Sequence, residues 1–369
     1  MLNFYEFFSG GGMARIGLGQ RWRCLFANDI DEKKAAAYKA NFDGSLELKV
    51  CDVATVSTAD LPNVADLVWA SFPCQDFSLA GNRQGLNGDK SSAFWPFWRL
   101  IQSLCLESRP PRLIVLENVC GALTSHQGKD FLAIAEAFTE IGYFFGAMVI
   151  DAVYFLPQSR PRLFIIGVRF DLEIPQDLRL SAPNPFWHSV AVRDRFKQLS
   201  PKAHSYWVWW KLPIPPSRKI IFADLIEDNP QGVDWHTPQE TQRLLSLMSD
   251  INRTKVFMAQ AKNRRVVGGV YKRTRNGKQC AEVRFDGVAG CLRTPVGGSS
   301  RQTILVVQGD QIYSRLLSPR EAARLMGLPE NYKLPNCYNE AYSIAGDGLA
   351  VPVVRYLAAS IFEPILLNS

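Results

Sequence analysis

The stretch "NFYEFFSGGGMARIGLG", Asn3 to Gly19, joins a run of apolar and aromatic residues to an amphipathic turn through three consecutive glycines. The run has the composition of a buried strand, and glycines at its end let the backbone pass close to a ligand and offer it helix-start N–H groups. Such a turn alone identifies no activity, because many nucleotide-type binders share it. The residues after it decide the fold. Six more β-rich runs, "RCLFAND", "LELKVCD", "ADLVWAS", "RLIVLEN", "YFFGAMVID" and "RLFIIGV", extend to about Val168. Helix-like segments interleave with them at 13–18, 31–42, 94–108 and 129–141. This alternation predicts an α/β fold with a mostly parallel sheet, whose ligands lie beyond the carboxyl ends of its strands.

Composition suits a folded chain of this size. Of 369 residues 47% are hydrophobic and 21% charged, and the first residues lack the basic start and apolar core of a signal peptide. No uncharged apolar run reaches the roughly eighteen residues of a membrane span, so a cytoplasmic protein without a membrane partner is expected. Eight cysteines without a Cys-x-x-Cys pair and four scattered histidines suggest neither a disulfide framework nor a metal site.

The charge is uneven. Lys255, Lys262, Arg264, Arg265, Lys272, Arg273, Arg275 and Lys278 fall within one stretch that holds no acid. Setting these eight aside reduces the 42 basic residues to 34, against 35 acidic ones, so the net charge of +7 is local. A patch of this kind suits a phosphate-bearing polymer, although a solvated basic face would have the same composition.

The strand ends carry the chemistry. Asn28-Asp29 closes the second run and places a carboxylate where nucleoside ribose hydroxyls would lie, and Asp52 closes the third, suited to an adenine amino group. The fourth run leads into "SFPCQDFSLAG", with Cys74 after Pro73, and the fifth ends in Glu117-Asn118. If those two strands are parallel neighbours, a thiol and a carboxylate meet at one sheet edge. That pair is poor for hydrolysis, since no histidine lies nearby as base. It suits addition of a thiolate to carbon 6 of a cytosine, with a protonated glutamate stabilising ring nitrogen 3. "QSRPR", Gln158 to Arg162, adds two guanidiniums at alternate positions of an extended segment.

Taken in order, "FSGGGM", "ND", "CD", "PCQDFS", "ENV", "QSRPR", "RLLSPREAARLMGLP" and "GDGLAVPVV" resemble the successive motifs of the bacterial DNA cytosine-5 methyltransferases of restriction-modification systems. The resemblance implies a Rossmann-like methyltransferase sheet with S-adenosyl-L-methionine as cofactor, held by Phe8, Ser9, Gly10, Gly12, Asp29, Ile30, Asp52, Val53 and Pro73. It implies Cys74 as nucleophile, with Glu117, Arg160 and Arg162 completing the catalytic set. Double-stranded DNA is the implied partner, contacted by Gln75, Ser78, Asn118, Gln158, Arg264, Arg265, Lys272 and Arg273, with the target cytosine flipped out of the duplex. Met13 and Asp347 stand where the family usually has glycine and asparagine.

The expected organisation is a catalytic domain of 1–170 plus 335–369, a smaller irregular target-recognition domain of 171–300 and a hinge of 301–334. Trp207, Trp209 and Trp210 read as core of that second domain. A monomer and a separately acting restriction endonuclease are expected. A transfer-RNA methyltransferase of the same architecture and a catalytically silent DNA-binding relative are the alternatives.

Overall fold

A computed structural model describes residues 1–73, 93–275, 277–294 and 301–367. The chain forms two compact units, one of residues 1–151, 161–214 and 353–369, the other of 152–160 and 215–352.

The first unit is built on seven strands, β1 (Leu2–Phe7), β2 (Trp22–Asp29), β3 (Leu48–Val50), β4 (Leu67–Ala70), β5 (Leu113–Val119), β6 (Tyr143–Asp151) and β7 (Pro161–Arg169). Their order is β3-β2-β1-β4-β5-β7-β6. Neighbours among the first five are parallel, whereas β7 runs antiparallel to both β5 and β6. Buried on both faces, these strands read as near-continuous apolar runs, which is why the sequence discloses them.

Between the strands lie α1 (Met13–Leu18), α2 (Glu32–Asn41), α3 (Phe94–Leu106) and α4 (Lys129–Glu140). On one face Phe97, Trp98 and Ile101 of α3 and Ile134 and Phe138 of α4 share a core with Phe7, Leu116 and Ile165. On the other face Trp69 meets Phe362 edge to face, and Trp22 Nε1 donates to Glu363 near the carboxyl terminus of the chain.

The boundary near residue 170 falls elsewhere than expected. Residues 171–214 belong to the first unit. They carry the small ladder of β8 (Arg179–Leu180) and β9 (Trp209–Trp210) and the short helices α5 (Val190–Phe196) and α6 (Pro201–Tyr206). The prolines interrupt regular structure, but the tryptophans still seek a core: Trp209 is buried within that of the sheet, and Trp207 packs against Phe145 of β6. Residues 301–334, expected as a hinge, lie inside the second unit, which continues to Pro352.

The second unit is centred on a four-stranded antiparallel sheet of order β11-β10-β12-β13, with β10 (Val266–Arg275), β11 (Lys278–Arg284), β12 (Thr303–Gln308) and β13 (Gln311–Leu316). Val270, Val283, Leu305 and Val307 pack against Leu244 of α7 (Pro238–Ser246) and Val256 of α8 (Asp250–Gln260). Ser318 caps α9 (Pro319–Leu325) through the expected reciprocal box with Glu321. After α10 (Tyr338–Asp347) the chain re-enters the first unit within α11 (Val351–Leu357) and ends in α12 (Glu363–Leu367). The stretch Tyr338–Leu367 has the length and hydropathy of a membrane-crossing helix, but 67% of its most apolar window is buried within the protein.

Candidate active site and cofactor cleft

Strand order reverses between β1 and β4, and a crevice beyond the carboxyl ends of the strands opens at such a switch point. The turn after β1 forms one side of it. Phe8 takes a left-handed conformation (φ 59°), unusual for a residue with a side chain, and its ring meets Phe72, just past β4, edge to face at 6.4 Å. Gly10 (φ 54°) has open space where a side chain would project. Among the described residues the buried Ser9 hydroxyl has no hydrogen-bond partner, a polar atom that a ligand in this crevice would satisfy.

Asp29 holds the turn in place. Its carboxylate accepts from Gly10 N at 2.7 Å and Asp31 N at 2.8 Å, leaving further lone pairs for a ribose. Ile30, next along, is 67% exposed, an apolar face available to a planar base. Asp52 is exposed and accepts from Ala54 N. These residues fit an adenosine-bearing cofactor.

Two expected cofactor residues also serve the packing of the fold. A Cβ on Gly12 (φ 78°) would lie 2.3 Å from the Phe42 ring, so this glycine serves the packing of α1 on α2. The Val53 side chain is part of the hydrophobic core and leaves only its backbone to a ligand.

Beneath the turn lies a residue that the motifs do not include. Glu6 of β1 is 1% exposed and takes hydrogen bonds from the N–H groups of Ala14 and Arg15 in the first turn of α1. Gly12, at the helix cap, has no side chain for that task. Burial pushes the Glu6 carboxyl up to about 8. Its signal in the sequence was an acid in the middle of "NFYEFF".

The expected catalytic edge lies at the ends of β4, β5 and β7. Arg162 opposes Val119 across the β5–β7 pairing, and its Nε lies 3.2 Å from Glu117 Oε1. A guanidinium fork and a carboxylate thus share one strand edge, both largely buried. Asn118 is buried and was expected at the DNA; instead its Nδ2 donates to Phe72 O at 2.9 Å and its Oδ1 accepts from Val119 N. It ties the end of β5 to the residue before Pro73, which is exposed. Cys74, Gln75 and Ser78 lie outside the described residues. Burial raises the Cys120 thiol, as suits a packing cysteine.

Gln158, Ser159 and Arg160 of "QSRPR" belong to the second unit. Gln158 is fully buried, its amide donating to Leu325 O at 2.7 Å and accepting from Leu292 N at 3.1 Å, which makes it a support and not a DNA contact. Arg160 is 2% exposed and donates to the carbonyls of Leu292, Gly346 and Gly348. Its guanidinium is held by backbone of its own unit.

Among the basic residues expected at DNA, Arg264 and Arg273 are exposed and Lys272 is half-buried. Arg265 pairs with Asp228 at 3.1 Å. Among the described residues no His, Cys, Asp and Glu cluster could hold a metal ion.

The chain is similar to known proteins along nearly its whole length. Type II methyltransferase M.HhaI of Haemophilus parahaemolyticus is 27% identical over 363 residues, covering 98% of this chain and 94% of the relative. M.HpaII of Haemophilus parainfluenzae is 26% identical, covering 98% and 89%. Among solved structures, the S. pombe Dnmt2 methyltransferase superposes with a TM-score of 0.60 at 19% identity over the whole of both chains. A putative DNA modification methyltransferase from an E. coli prophage gives 0.60 at 18%, again over both whole chains. At that identity the structures speak for the fold alone. The family described as "C-5 cytosine-specific DNA methylase" matches residues 2–363, and this chain belongs to it.

Proposed function

We propose that this protein is the DNA-modifying enzyme of a restriction-modification system, methylating carbon 5 of one cytosine within a specific duplex sequence. The observation that carries the reading is the Glu117–Arg162 pair at the strand edge, bound through Asn118 to the residues that lead into Cys74, in a chain of this family. The relatives' names as Type II methyltransferases support the biological setting. Duplex DNA in the cytoplasm is the partner, a cognate endonuclease acts separately, and the enzyme works as a monomer.

Phe8, Ser9, Gly10, Asp29, Ile30 and Asp52 would hold S-adenosyl-L-methionine. When bound, the cofactor supplies an electrophilic methyl group. The chain's own residues prepare its acceptor. The target base is extruded from the stack, at a cost of about a few kcal/mol, because carbon 6 is shielded inside a duplex. The Cys74 thiolate adds to carbon 6, and Glu117 holds a proton at ring nitrogen 3, so that electron density gathers on carbon 5. Arg162 orients the ring. Loss of the carbon 5 proton and expulsion of the thiolate then restore the aromatic base and the free enzyme.

Duplex DNA with 5-fluorocytosine at the target position blocks that proton loss, so it should trap a covalent complex in the wild type and none in Cys74→Ala. A trapped complex in the alanine variant would refute the nucleophile assignment. Labelled cofactor offered with duplex DNA and with transfer RNA should mark only the DNA; label in the RNA alone would end the reading.

A further inference from the structure

The second unit carries a feature that patch charge alone does not describe. Among the described residues, strand β10 pairs with β12 from Val266 to Val270, whereas its pairing with β11 continues to Arg275 opposite Lys278. Among the described residues, the last part of β10 and the first part of β11 therefore form a two-stranded ribbon that extends past the sheet. Gly277 (φ 73°) lies just before Lys278 with the left-handed backbone that a tight hairpin favours. Residues 273–275 and 277–279 are exposed, whereas Val267, Val270, Ala281 and Val283 at the base are buried.

Arg273 and Arg275 lie on one face of this ribbon, together with Cys280 and Glu282 of the facing strand. Both guanidiniums converge on Glu282: Arg273 Nε is 3.5 Å from one carboxylate oxygen, and Arg275 is hydrogen-bonded to the other. The two arginine side chains remain 58% and 65% exposed.

Building on the DNA reading, we propose that Arg273 and Arg275 read two guanines of the target site, two base steps apart, and that Glu282 sets their discrimination. Side chains two residues apart on a strand are separated by about 6.8 Å. Two steps of stacked bases at about 3.4 Å each span the same distance. A two-stranded ribbon fits the major groove, where an arginine fork matches the O6 and N7 acceptors of guanine. Glu282 holds both forks extended and repels phosphate, so the arginines gain less from nonspecific backbone contact. An exposed pair of this kind is weak, and a guanine edge displaces it at little cost.

The test uses the full-length protein, S-adenosyl-L-methionine and a randomised duplex library, with methylated sequences read by bisulfite sequencing. Wild type should return a preferred site containing guanines two positions apart. Arg273→Ala and Arg275→Ala should each relax the preference at one of those positions, by about 5- to 150-fold, and leave the other intact. Glu282→Gln should keep the same site while noncognate methylation rises. A uniform loss across all sequences with an unchanged preference, and a salt dependence flattened by about 0.9 in log–log slope per arginine, would assign both residues to phosphates and overturn the proposal. Unchanged preference and rate in both arginine variants would overturn it equally. Wild type that methylates no duplex at all would instead sink the underlying DNA reading.

Discussion

Each unit buries a glutamate, and the two are accommodated in different ways. In the first unit Glu6 lies under the glycine turn with one carboxyl oxygen lacking a hydrogen-bond partner among the described residues, and burial raises its pKa to about 8. The nearby Arg15 opposes that shift but is engaged with Tyr38 and Glu47. In the second unit Glu321, also fully buried, is gripped by both terminal nitrogens of Arg315 at 2.6 and 2.8 Å and accepts from the N–H groups of Ser318 and Glu227. One acid is kept by holding its proton, the other by a bidentate partner. A buried carboxylate needs one or the other, because desolvation of an isolated charge is too costly.

Removing the partner tests the second solution most severely. Arg315→Met should cost about 3–5 kcal/mol of stability, measured by denaturant unfolding, because it strands Glu321 in the interior. A loss below about 1 kcal/mol would mean that Glu321 finds other compensation. The first solution responds to pH. The Glu6 pKa is 4.5 before burial and about 8 in the fold, so the folded state binds more protons between those values. The stability this proton confers is complete below pH 4.5 and is lost as pH rises through 8. Relative to Glu6→Gln, wild type should therefore lose roughly 1 kcal/mol for each pH unit in that window, seen as diverging melting curves between about pH 5 and 8. Parallel curves would show that Glu6 is already ionised in the fold. The smallest effect belongs to the double variant Arg315→Met with Glu321→Leu. Replacing both members by apolar groups should restore stability to within about 1–2 kcal/mol of wild type, and a double variant as weak as the single one would tie the pair to the capping of α9.

Legibility followed burial on both faces. The seven strands of the first sheet were visible as apolar runs, and their ends were within a residue or two of where the sequence placed them. The capping box at Ser318 was equally plain, because its two partners are local. Residues 171–214 were misleading, since prolines report a broken backbone and say nothing of which core the tryptophans fill. "QSRPR" misled differently. Its arginines look alike in sequence, yet Arg162 pairs with Glu117 in one unit while Arg160 is spent on three carbonyls in the other.

The sequence by itself determined the sheet, the order of its motifs and the chemistry those motifs share, because strand periodicity and short-range caps are encoded in neighbouring residues. Only the tertiary structure decided which polar and charged side chains are committed to internal partners. It assigned Asn118, Gln158 and Arg160 to internal hydrogen bonds and left Arg273 and Arg275 more than half exposed, sharing Glu282 on a ribbon. Whether a polar side chain is available to a substrate depends on the partners brought to it from distant parts of the chain, and those partners are set by packing.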